Sequence, residues 1–177
     1  GDARALSFES GSVWLICDDG AGEIADFLHL SNAGMLSAIH VKAAHSRSAD
    51  RQIAVTAFEQ VVSQALKNVR LLNSDHLAHR LSRPRISRPA CWRDGQRVRD
   101  RTEFILMLGA RGAADRTSVI IVQQHLSQAV HDRARAATWD GRPNRDSHSL
   151  MLLDNLLHSA RRTVIGLWDD LTVIGSK

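Results

Sequence analysis

GEIADFLHLSNAGMLSAIHVKAA, residues 22–44, decides how the rest of the chain is read. Glu23–Leu30 places Ile24, Asp26, Leu28 and Leu30 on one face under the period of two that a strand imposes. Ser31-Asn32-Ala33-Gly34-Met35 follows as a turn, with Gly34 where a three-residue hairpin loop closes with a bulge. Leu36–Ala44 returns as a strand carrying Leu36, Ala38, His40 and Lys42 on one face. With Ser31 opposite Met35, paired positions sum to about 66, so Asp26 falls across from His40 and Lys42 lies diagonal to Asp26.

Upstream, Ser12–Asp18 (SVWLICD) has strand composition and ends in the turn signal Asp18-Asp19-Gly20-Ala21-Gly22. Downstream the period changes. Val55, Phe58, Val61, Val62, Ala65, Leu66 and Val69 recur at helical spacing between Ile53 and Arg70, with Gln60, Gln64 and Lys67 along another side. Glu103–Gly109 (EFILMLG), Ser118–Gln123 (SVIIVQ) and Leu171–Gly175 (LTVIG) read as strands. Leu126–Ala137 and Leu150–Thr163 read as helices, with a polar loop over Trp139–His148. The expected fold class is α/β, a mixed sheet flanked by helices.

Composition sets the outer bounds. At 177 residues, 44% hydrophobic and 24% charged, the chain is an ordinary globular one. It is expected to form a single domain over 1–177, with a core at 12–110 and an α/β extension at 111–177. Its Gly1-Asp2-Ala3 start reads as the boundary of a domain excised from a larger protein. Cys17 and Cys91 make no disulfide framework, and no apolar run is long enough to span a bilayer, so a cytoplasmic location is expected.

Basic residues are chosen unevenly: three lysines and twenty arginines. Eight arginines lie between Arg80 and Arg101, among them Arg83, Arg85, Arg88 and Arg93, against Asp94 and Asp100 alone. Pro84 and Pro89 mark that stretch as a loop. Arginine's planar fork suits phosphate, so the loop is a nucleic-acid contact or else a solvated face. Trp92, inside it, is a candidate for base or sugar contact.

Asp26, His40 and Lys42 interrupt what should be the apolar face of a hairpin. Burying a carboxylate and an ammonium costs several kcal/mol unless they pair or bind something. A structural Asp–Lys pair answers that cost. So does a phosphodiester site, where a carboxylate holds a divalent cation and a lysine orients water.

DDGAGEIAD (Asp18–Asp26), HVK (His40–Lys42) and SQALKN (Ser63–Asn68), in that order, resemble the PD-(D/E)xK restriction-endonuclease-like superfamily. The likeness is greatest to nuclease domains of large bacterial helicase-linked proteins of phage-defence type. The resemblance implies a restriction-endonuclease-like core and a metal-dependent nuclease acting on DNA, with Mg²⁺ or Mn²⁺ as cofactor and a fused or associated helicase or ATPase as partner. It makes Asp26 the metal-binding aspartate, Lys42 the catalytic lysine and His40 the occupant of the variable acidic position. Gln64 and Lys67 match helix residues that face the site. Glu23 joins the metal ligands only if the Gly22 turn bends the chain inward. Because the second acidic ligand is replaced by His40, a catalytically degenerate DNA-binding module stays open, as does an RNA-directed nuclease toxin.

Other chemistries find less support. Gly20-Ala21-Gly22-Glu23-Ile24-Ala25 fits a dinucleotide fingerprint, but a strand follows where a helix is needed. The nine histidines have no cysteines at zinc spacing, and no G-x-S-x-G elbow argues for acyl transfer.

Overall fold

The computed structural model describes residues 12–18, 23–43, 48, 50–72, 74–82, 90–112, 114–167 and 170–176. Seven strands are present: β1 (Trp14–Cys17), β2 (Phe27–Leu30), β3 (Leu36–Lys42), β4 (Cys91–Arg93), β5 (Gln96–Val98), β6 (Thr117–Ser127) and β7 (Asp170–Ser176). They form one mixed sheet in the order β5-β4-β1-β2-β3-β6-β7. Five α-helices accompany it: α1 (Val55–Val69), α2 (Ser74–Ser82), α3 (Thr102–Gly109), α4 (Gln128–Trp139) and α5 (Arg145–Ile165). The fold is α/β, as the alternation of periods implied. Two compact units divide the chain, one of residues 1–38 and 71–117, the other of 39–70 and 118–177.

In the first unit β1 pairs antiparallel with β2, Ile16 opposite Leu28, and with β4, Ile16 opposite Cys91. Trp14, Ile16, Leu28 and Leu30 are buried from the same face, and the Trp14 ring meets Phe104 of α3 at 6.2 Å between centroids. The turn after β2 closes as its sequence required: Ser31 N–H donates to the Met35 carbonyl at 2.9 Å, and Gly34 takes φ 77°. α2 and α3 pack on one another.

Two expectations are corrected here. EFILMLG is helix α3, not a strand. A short apolar run cannot be assigned by periodicity alone, and its Leu, Met and Glu favour helix; Phe104 and Leu108, one turn apart, supply its buried stripe. Nor is the arginine-rich stretch one loop. Arg80 belongs to α2, while Cys91–Arg93 and Gln96–Val98 form a hairpin. Asp94 at φ 49° and Gly95 at φ 78° give it the positive-φ turn that matches strand twist.

In the second unit α1 buries Phe58, Val61, Val62, Ala65 and Val69, the stripe read from the sequence. Phe58 joins Ile53, Val130, Ala134, Leu150 and Leu153 in one apolar cluster with α4 and α5. Ser127 caps α4 by accepting from Val130 N–H, and Asn144 and Ser147 form a capping box on α5. β6 and β7 run parallel, Ile121 beside Val173. Gly175 is obligatory, because a Cβ there would stand 2.7 Å from the Leu126 carbonyl oxygen. Among the described residues, no helix is long and apolar enough to cross a membrane.

Candidate functional site

Asp26 lies in a bend immediately before β2 and is half-buried, rather than within a strand beginning at Glu23. What holds it there is the end of β1. The register that pairs Cys17 with Phe27 continues one step, and Asp18 N–H donates to the Asp26 carbonyl at 3.1 Å. Two aspartates therefore occupy facing positions where the β1–β2 ladder ends.

Asp18 is 6% exposed, and its Oδ2 accepts from Ile24 N–H at 3.0 Å. Burial pushes its carboxyl above the ordinary carboxylate range. The Ile24 hydrogen bond and the positive charges of Arg80 and Arg101 act the other way, and the charge of Glu23 adds to the rise. Glu23 is half-buried in the same bent segment, so strand alternation does not govern where it faces. A desolvated carboxyl beside charged neighbours is a feature that clusters at functional sites.

The remaining expected residues belong to the second unit. His40 is 1% exposed on β3, and Lys42, two residues on and so on the same face, is exposed at the strand's end. Leu36 N–H donates to the Arg116 carbonyl, just before β6 begins, so β3 and β6 start together and run parallel. Gln123 is fully buried, its Oε1 is 2.6 Å from His125 Nδ1, and its Nε2 has no hydrogen-bond partner among the described residues. Gln64 is half-buried on α1, and Lys67, one turn later, is exposed.

Of the four arginines expected on nucleic acid, Arg83, Arg85 and Arg88 lie outside the described residues. Arg93 is committed within the first unit. Its Nη1 donates to Glu103 Oε2 at 2.7 Å, its Nε and Nη2 donate to Ser12 Oγ, and its guanidinium stacks 5.7 Å from the Trp14 ring centre. Trp92, on β4, carries Arg97 over its ring at 6.0 Å. Burial pushes the Cys91 thiol up to about 11, which leaves it protonated and inert at neutral pH.

Among the described residues no group of three or more His, Cys, Asp or Glu is disposed to hold a metal. Two carboxylates with water suffice for Mg²⁺, which keeps much of its hydration and takes one or two protein oxygens. Asp18 and Asp26 face each other through their backbone at the end of the β1–β2 ladder, with the Asp18 carboxyl buried against Ile24 N–H. Sequence reasoning passed over Asp18 as the start of a turn, although it ends one strand where Asp26 opens the next. It also passed over Gln123, whose phase with Val119 and Ile121 places an amide on a buried face.

No family model matches the chain, and no curated protein and no solved structure matches it.

Proposed function

We propose that the chain is a metal-dependent nuclease domain with a restriction-endonuclease-like core, hydrolysing phosphodiester bonds in DNA within a bacterial defence or mobile-element system. The observation that carries this reading is the Asp18–Asp26 pairing at the end of β1 and β2. It supports the reading by setting a second aspartate opposite Asp26 on the neighbouring strand. Mg²⁺ or Mn²⁺, when bound, would lower the charge on the scissile phosphate and acidify its water. Asp26 and Asp18 would hold the ion, with Glu23 in the same bent segment.

Lys42 donates to the attacking water and offsets charge as it develops on phosphate. Its place at the exposed end of a strand leaves the side chain mobile, which suits that role. Gln64 would orient water or phosphate oxygen through its amide. His40 is buried two residues before Lys42 on the same face of β3. A helicase or ATPase, fused or associated, is the partner that would present the strand.

The burial of His40 favours a second reading, a DNA-binding module that keeps the fold without cleaving. Incubation of plasmid and single-stranded DNA with Mg²⁺, Mn²⁺ or EDTA separates the two. Metal-dependent cleavage by the wild type, lost in Lys42→Ala, is expected. Salt-sensitive binding without cleavage would replace the nuclease by the module.

A further inference from the structure

The carboxylate end of the molecule does not explain its surplus of positive charge, and Arg93 is spent inside the first unit. A different surface carries open cations. In the second unit, where α1 and α5 pack together, their C-terminal turns border a hollow of about 460 Å³. Lys67, Arg70 and Arg162 line it, all exposed, over an apolar floor that includes Leu66 and Val69. A second hollow of about 420 Å³, along α5, adds His158 and Ser159 and shares Arg162 and Thr163 with the first. Among the described residues no acidic one lines either hollow. Of the nearby acids, Asp154 is paired with Arg135 at 2.9 Å, and Asp170 lies 3.9 Å from Arg161.

The plain alternative is that these cations answer the helix dipoles. Lys67 and Arg162 do stand in the last turns of α1 and α5. Each helix end supplies roughly half a negative charge, so the two together cancel about one of the three positive charges. A surplus of about two remains in a concave surface bordered by the Ser159 hydroxyl and the His158 imidazole, the Thr163 hydroxyl being donated to the Ser159 carbonyl.

We infer that this groove binds the phosphate backbone of a nucleic-acid strand. Spaced cations with a neighbouring hydroxyl and imidazole match a run of phosphates, and the apolar floor accepts sugar or base faces. The inference rests on the nucleic-acid side of the proposed function and needs no catalysis.

The test is fluorescence anisotropy of a labelled single strand and a labelled duplex across a salt titration. Lys42→Ala protein in EDTA is used, so that cleavage plays no part. Lys67→Ala, Arg70→Ala and Arg162→Ala together should lower the slope of log affinity against log salt by about 2 to 3, and each alone by about 1. All three side chains are exposed, so the melting temperature should hold, and the single variants keep the test valid if the triple melts early. Arg133→Ala, Arg142→Ala and Arg145→Ala, equally exposed in the same unit, should leave the slope nearly unchanged. An unchanged slope in the groove triple would overturn the groove, as would an equal loss in the comparison triple. Competition by polyglutamate as strong as by unlabelled DNA would reassign it to an acidic protein. Absence of binding by the starting protein would sink the groove together with the nucleic-acid reading, whereas failure of cleavage alone leaves the groove standing.

Discussion

The two compact units differ in where they keep particular charges. In the first, one carboxylate and one guanidinium are drawn inward, while Asp94, Arg97, Arg99 and Asp100 stay exposed. Asp18 is buried against an amide, and Arg93 is clasped by Glu103, Ser12 and the Trp14 ring. In the second, Lys42, Lys67, Arg70 and Arg162 stand in solvent. The lesson is that charge counted along a sequence says little about charge available to a partner. The densest arginine stretch includes one residue held by partners within its own unit, whereas two cations from the end of α1 and one from the end of α5 share one open groove.

This contrast yields graded expectations. The largest concerns Lys42. Its removal should lower metal-dependent cleavage by at least about a hundredfold, the usual scale for a group that handles the reacting proton. Its exposure means the melting temperature should not move. A variant that cleaves normally would break the division between inward and outward charge at its most important residue.

Next in size is a purely structural control in the second unit. Gly175→Ala drives a methyl into the Leu126 carbonyl and should cost about 1–3 kcal/mol in denaturant unfolding. An unaffected midpoint would mean that β7 does not approach Leu126 so closely.

Arg93→Ala comes third. Its ion pair is partly exposed, which limits that contribution, so the loss with its stacking on Trp14 should be about 1 kcal/mol. The salt slope of DNA binding should stay as it was. A change in that slope instead would move Arg93 to the outward class.

The smallest effect is a pH dependence. Because Asp18 holds its proton more tightly when folded, its own contribution to stability is full below the ordinary carboxylate range and declines as pH rises through the folded value. Asp18→Asn lacks that decline. Its melting temperature should exceed the wild type's at neutral pH, with the gain vanishing in acid. A gain that persists unchanged in acid would remove the buried charge as its cause.

Much of the hairpin was legible because two independent signals agreed: alternation on both strands, and Gly34 at the position that needs positive φ. α1 was legible from seven apolar residues at one spacing. α3 was not, since EFILMLG has no side-chain cap and too little length for a period to show. The β4–β5 hairpin carried its own Asp94-Gly95 signature, but arginines and prolines around it outweighed two residues. Asp18 was hidden for a different reason. It matters through its neighbour on another strand, and single-sequence patterns do not contain strand order.

The central claim is that the first unit's paired aspartates hold a divalent cation. A thermal melt of the wild type with and without Mn²⁺ or Mg²⁺, beside Asp26→Asn, tests it most directly, since an ion that binds only the native state must raise the melting temperature. The account predicts a metal-dependent rise in the wild type that is absent from the variant. An equal rise in both, or none in either at saturating metal, would contradict it.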